Sequence, residues 1–228
     1  MGTMRSVQCA ALIPIIFSPL LACAGTPTSP SSTNNTSASQ SAGAVSLLAA
    51  DWETISAPAA FPLNNDSSGR LLFDFPTVGS INYLYNVRPP KEVNGSLSIS
   101  VQITTTGPVM FNYMTEPFNT CATPASVRPF IWANRNSFGE FDRWWSNPGN
   151  LPLGPGSATL KVQLEPDRWS SVNGKLGNAD SAAQAGFSNA LKNVSSLGLT
   201  FGGGYFFGHG INVQGGSARF AIVSYQVG

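Results

Sequence analysis

The sequence predicts an all-β protein, an antiparallel β-sandwich of jelly-roll type with one short helix, and three observations carry that expectation. Apolar and polar residues alternate with a two-residue period in several segments, as on strands with one buried face. Clusters of Gly, Pro, Asn and Ser separate these segments at the spacing of a sandwich, in a chain with 23 Gly and 17 Pro. A helical period appears once, between residues 178 and 194, so the strand-helix alternation of a doubly wound parallel sheet is missing.

The chain opens with "MGTMRSVQCAALIPIIFSPLLAC", in which Arg5 precedes a mostly apolar run that ends on small residues. This is the layout of an export signal over residues 1–22, and it is short for a membrane span. Its end, "LLAC", resembles the lipobox of bacterial lipoprotein signals, with Leu20, Ala22 and then Cys23. The resemblance implies cleavage before Cys23 and acylation of its thiol, so that lipid chains anchor the protein to a membrane. Ala24, where Asp would signal retention, resembles lipoproteins sorted to an outer membrane in a host that has one, and the expected location is the cell envelope. A plain secretory signal cut at "ACA" or "CAG" is the alternative. Residues 23–47, nearly all small, polar, Ala, Gly or Pro up to about Ala44, read as a flexible tether, and residues 48–228 as the folded domain.

Within the domain, "LLFDF" at 71–75 is the first strand expected, followed by "INYLYNV", which sets Ile81, Tyr83, Tyr85 and Val87 on one face. "SLSISVQIT" alternates Leu97, Ile99, Val101 and Ile103 with polar residues. Further strands are expected at 109–113, 128–133, 158–164, 197–201 and in the closing "ARFAIVSYQV". In "NADSAAQAGFSNALKNV" Asp180 can cap a helix whose apolar stripe is Ala183, Phe187, Leu191 and Val194.

Composition excludes several functions. Without Arg5 the chain has 11 basic and 11 acidic residues and no basic stripe, which argues against nucleic-acid binding. With Cys9 in the signal and Cys23 acylated, Cys121 stands alone, too few thiols for a disulfide or a thiolate zinc site. The glycine-rich "FGGGYFFGHGINVQGG", which holds His209, runs from strand to strand, whereas a phosphate-binding loop needs a helix N-terminus after it. Its Tyr205, Phe206 and Phe207 are expected to fill space between strands. Ser188 of "GFSNA" lies inside the expected helix, and residues 189–208 supply no acid, so a hydrolase triad ending at His209 fails. His209 is left as a hydrogen-bonding residue of a turn and a candidate ligand contact.

Aromatic residues carry the strongest functional signal. "WANRNSFGEFDRWWSNPG" gathers Trp132, Trp144 and Trp145 with Asn134, Arg135, Asp142 and Arg143, and a second "DRW" ends on Trp169. In both copies a serine follows two residues after the tryptophan, Ser146 and Ser171. Sugar recognition uses this mixture, since an aromatic ring stacks on the C–H face of a pyranose while amide, carboxylate and guanidinium groups bind hydroxyls. Trp144, Trp145, Trp169, Arg143, Asp142, Asn134, Arg135 and His209 are therefore the candidate ligand-binding residues. Adjacent strand residues face opposite ways, so one of Trp144 and Trp145 is expected in the core. Glu140 and Asp142 form the acid pair that a glycosidase reading would need.

From "LKVQLEPDRWSSVNGKLG" through the helix to "FSNALKNVSSLGLTFGGGYFFGHGINVQGGSARFAIVSYQV", about residues 155–228, the chain is similar to the galactose-binding-like jelly rolls of carbohydrate-binding modules and bacterial surface proteins. The resemblance implies a non-catalytic module that binds carbohydrate or another envelope polymer. It also implies a structural calcium ion as the one cofactor to consider, with Asp51, Glu53 and Asp74 as candidate ligands. A structural or protein-interaction module of the envelope and a polysaccharide-degrading enzyme are the alternatives.

Overall fold

The computed structural model describes residues 43–57, 61–113, 124–203 and 209–228. The expected signal, Cys23, most of the tether, Cys121 and the ring trio Tyr205, Phe206 and Phe207 lie outside the described residues.

In chain order, the strands are β1 (Gly43–Ala44), β2 (Trp52–Ala57), β3 (Asn64–Asn65), β4 (Leu71–Asp74) and β5 (Ser80–Asn86). Next come β6 (Ser96–Thr106), β7 (Met110–Tyr113), β8 (Ser126–Trp132), β9 (Arg143–Ser146) and β10 (Leu151–Pro152). The last five are β11 (Gly156–Gln163), β12 (Trp169–Ser171), β13 (Ser196–Gly202), β14 (Ile211–Gln214) and β15 (Ser217–Val227), with the helix α1 (Ser181–Lys192) before β13. A six-stranded sheet runs β11-β6-β15-β4-β3 with β1 on β15. A nine-stranded sheet runs β12-β9-β8-β13-β5-β14-β7, with β10 on β8 and β2 on β5. Their pairings are antiparallel, and the two sheets pack as a β-sandwich.

Aromatic rings join the sheets. Phe201 of β13 meets Phe73 of β4 at 5.8 Å and Phe220 of β15 at 5.6 Å, both edge to face. Trp52 of β2 lies 6.1 Å from Tyr225 of β15. Such pairs add about 0.5–1.5 kcal/mol each beyond the burial of their area. Aliphatic side chains fill the rest, with Leu97, Ile99, Val101 and Ile103 of β6 all buried as their alternation predicts.

The ordered fold starts earlier than residue 48. Gly43 and Ala44 pair with Val227 and Gln226, and the Ser46 carbonyl accepts from Trp52 Nε1 and Asn86 Nδ2. Helix α1 begins after Asp180, whose carboxylate accepts from the Ala183 N–H at 2.8 Å. Ala183, Phe187 and Ala190 are its buried face, and Phe187 packs 5.1 Å from Trp144 and 6.1 Å from Trp169.

One alternation differs from the sequence reading. In β5 the register against β2 slips between Ile55 and Ser56, which pair with Tyr83 and Ile81, so Asn82 is bulged out. A bulge inverts the facing of every residue beyond it. Ile81 and Leu84 therefore enter the sandwich core, while Tyr83 and Tyr85 join a separate aromatic cluster on the other side of the sheet. A second slip, at Val223 of β15, keeps Phe220 and Ile222 before it and Tyr225 and Val227 after it in the core, and leaves Val223 exposed.

Strand β13 approaches β5 so closely that a Cβ on Gly198 would lie 2.1 Å from the Leu84 carbonyl oxygen and 2.7 Å from Tyr85 Cα. Both neighbours are backbone and cannot step aside. Gly198→Ala is expected to cost about 3 kcal/mol of stability, near the upper end for overpacking, read as a lowered urea midpoint. An unchanged midpoint would contradict this close approach.

Candidate functional site

Side chains directly opposite across strands share a face, so the registers define which residues line the outer face of the nine-stranded sheet. One row across it reads Ile55, Tyr83, Thr200 and Arg128. The next reads Glu53, Tyr85, Gly198, Phe130, Trp145 and Ser170. A third reads Ser196, Trp132 and Arg143. Tyr83, Tyr85, Phe130, Trp132 and Trp145 form a buried aromatic layer distinct from the sandwich core. Tyr83 stacks 5.8 Å from Trp132, and Tyr85 and Phe130 meet Trp132 edge-on at 5.4 Å. Gly198 carries no side chain between Tyr85 and Phe130 and leaves the two rings unobstructed in that row.

Polar groups are set among these rings. The Arg143 guanidinium lies between two ring faces, 4.0 Å from the centroid of Trp132 and 3.8 Å from that of Phe138. Arg143 is 7% exposed, whereas Phe138 on the 133–142 loop is 75% exposed. Burial lowers the Arg143 pKa, which the neighbouring Tyr83 and Asp142 partly oppose. Burial also pulls Arg128 down to about 10, still protonated at neutral pH. Thr200, Trp145 and Arg143 surround the Tyr83 hydroxyl. Thr200 and the Arg143 guanidinium are thus bonded to that hydroxyl, while Arg143 Nε and Trp132 Nε1 are buried without a partner of their own among the described residues. At the edge of the face the Tyr85 hydroxyl donates to Glu53 at 2.8 Å. A buried donor without an acceptor costs about 1–3 kcal/mol, so these two N–H groups weigh against the stability of the layer.

The structure divides the predicted residues. Trp145 and Arg143 lie on this face, and Arg135 on the adjoining loop is exposed and close enough to act on the Tyr85 hydroxyl. Trp144 and Trp169 do not belong to it: both are 0% exposed, in the sandwich core, with Nε1 donating to the Phe141 and Gln163 carbonyls. Burial there removes both from any stacking role toward a ligand. Asn134 and Asp142 shape the loop itself, accepting from the N–H groups of Asn136 at 3.0 Å and Gly139 at 2.9 Å. His209 is half-buried one residue before Gly210, whose N–H donates to Phe201, so it lies by the end of β13, where Thr200 pairs with Arg128. No family model matches the chain, and no curated protein or solved structure is similar to it.

The repeated D-R-W-x-S has a structural explanation. β9 and β12 pair so that Trp144 faces Ser171 and Trp169 faces Ser146, each indole opposite the small residue of the other copy. The sequence reading passed over Tyr83, Tyr85, Phe130, Phe138 and Thr200. For Phe130 and Trp132 the signal was present: "PFIWA" at 129–133 is apolar without a break, as in a strand buried on both faces.

The three carboxylates considered for calcium are not brought together. Asp51 accepts from Ser46 Oγ at 2.6 Å and lies 3.3 Å from Arg88, Glu53 holds Tyr85, and Asp74 takes a two-pronged bond from Arg219 at 2.7 and 2.8 Å. Among the described residues no group of three or more His, Cys, Asp and Glu side chains could hold a metal ion. Glu140 turns to Lys175 at 4.0 Å while Asp142 closes its own loop, so the two acids do not act as a facing pair. Four surface grooves, beside Lys161, α1, Met110 and Arg70, are lined by at most one carboxylate each.

The buried tyrosines give the fold an alkaline limit. Burial, then the bond and charge of Glu53, push Tyr85 up to about 12, and burial also raises Tyr83 and Tyr225. A phenol that ionises near 10 when unfolded and higher when folded stabilises the fold below pH 10, and that contribution is lost as pH rises through the folded value. Unfolding free energy is therefore expected to fall between about pH 10 and 12, and Tyr85→Phe to flatten the slope. An identical slope in the variant would remove Tyr85 as a source.

Proposed function

We propose that this sandwich is a carbohydrate-binding module of the galactose-binding-like, jelly-roll type, carried without catalysis on a lipid-anchored envelope protein. The outer aromatic layer is the observation that carries the reading. The face of the nine-stranded sheet opposite the sandwich core holds five rings, all buried, and at their edge the Arg143 guanidinium lies against the exposed ring of Phe138. Sugars offer the complement: C–H faces for rings and hydroxyl oxygens for N–H and O–H donors. Phe138, on the loop beside the layer, supplies an exposed ring. The lipobox-like "LLAC" and the polar tether after it support placement at a membrane surface, where a module on a flexible linker reaches polymers near the envelope.

Binding to a panel of polysaccharides is the direct test. Phe138→Ala is expected to weaken glycan binding about 2- to 10-fold, the range of one aromatic stacking contact, while the melting temperature holds because the ring is mostly exposed. Trp169→Ala, by contrast, should lower stability by about 3–5 kcal/mol through loss of core packing. Failure to retain any glycan, or a Phe138→Ala protein that binds like the parent, would sink the reading. For the anchor, the mass of the protein extracted from membranes is expected to match a chain that starts at an acylated Cys23. A mature terminus anywhere else defeats that part.

A further inference from the structure

We propose that the six-stranded sheet carries a second ligand site, an open recess beside Arg70 that takes one neutral sugar residue. It lies on the opposite side of the sandwich from the aromatic layer and stands or falls independently of the reading of that layer.

Strand register builds the recess. Leu71, Phe73, Val101, Ile103, Phe220 and Ile222 point into the sandwich, so the residues that alternate with them point outward. Two outward rows cross β4, β15 and β6: Leu72, Ala221 and Gln102, and then Asp74, Arg219 and Thr104. Ala221, at the centre of the first row, is the smallest of the six, and a hollow of about 370 Å³ opens over these rows, lined also by Asp66, Ser67 and Arg70. That volume is at the small end of the roughly 300–1,000 Å³ typical of ligand sites, which suits a small molecule.

Ion pairs hold its rim. Arg70 Nε donates to Asp66 at 2.6 Å, and Arg70 Nη1 reaches over β15 to Gln102 Oε1. Arg219 grips Asp74 through Nε and Nη2. Each guanidinium thus has its carboxylate, and the two pairs sum to no net charge. Donors are what the rim has left over: among the described residues Arg70 Nη2, Arg219 Nη1, Gln102 Nε2 and Thr104 Oγ1 make no hydrogen bond. Thr104 is exposed, and the Arg219 side chain is 53% exposed, so the rim is reached from solvent. An anion here would meet Asp66 and Asp74 as well as the arginines. A neutral sugar instead offers hydroxyl oxygens to the donors and hydroxyl protons to the carboxylates, with Leu72 and Ala221 as a floor for its C–H face. Donors already fixed by ion pairs lose little freedom on binding, which is the advantage of a preorganised site.

Nuclear magnetic resonance titration of the intact protein reads the site without a variant. Glucose, galactose, mannose, xylose and N-acetylglucosamine are added in turn to millimolar concentration while the side-chain N–H signals of Gln102, Arg70 and Arg219 are followed. At least one sugar is expected to shift these signals together and saturably, and sodium sulfate is expected not to. Thr104→Val, which removes an exposed hydroxyl at nearly constant shape, should weaken that sugar about 2- to 10-fold, the range of one hydrogen bond. Ala221→Leu, which fills the hollow, should abolish the shifts, and Phe138→Ala, on the other face, should leave them unchanged. No saturable shift with any of these sugars overturns the inference, whatever the aromatic layer binds. Sulfate that saturates the same signals as tightly as the best sugar also overturns it, since the recess would then be an anion site. A loss in Phe138→Ala as large as that in Ala221→Leu would assign the sugar to the aromatic face and overturn it as well.

Discussion

A single bulged residue, Asn82, decides where the aromatic side chains of β5 go, and much of the molecule depends on it. Because strand side chains alternate, inserting one residue turns everything beyond it to the opposite face. Ile81 and Leu84 then both reach the sandwich core, and Tyr83 and Tyr85 line up with Thr200 and Gly198 on the outer face. Without the bulge, either Ile81 would leave the core or the two tyrosines would be forced into it. The position of Gly198 fits the same arrangement: its missing side chain lets β13 close against β5 at the point where the tyrosines turn outward.

The neighbouring tryptophans Trp144 and Trp145 divide the work of β9 between its faces. Trp144 joins Trp169 and Phe187 in fastening α1 to the sandwich, with Phe141 stacked 5.8 Å away at 11°. Trp145 goes to the outer layer beside Phe130. The same strand thus ties the helix to the core and contributes to the aromatic layer on the other side of the sheet, so the two regions share a backbone but not their side chains.

The class of the fold was legible in the sequence because β6, β11 and α1 have clean periods and the turn residues fall between them. Asp180 could be named as a cap because its position follows from local chemistry alone. The outer face was only partly legible. Trp145, Arg143 and Arg135 stand in one conspicuous segment, but Tyr83 and Tyr85 were read with Ile81 on a single face, since period two says nothing about a bulge. Trp144 and Trp169 drew notice through composition, which does not distinguish a ring that binds from one that packs. The start of the domain at Gly43 was hidden as well, because two residues held by β15 look in sequence like more of the tether.

The partition of tryptophans has a spectroscopic consequence. Of the five in the chain, Trp52, Trp144 and Trp169 report on the sandwich interior, while Trp132 and Trp145 report on the outer layer. Trp132 carries a guanidinium against its ring, 4.0 Å from the centroid, a fixed positive charge within the field that sets indole emission. Intrinsic fluorescence of this protein is therefore a composite of two buried populations, one in the sandwich core and one in the outer layer, of which Trp132 lies against Arg143.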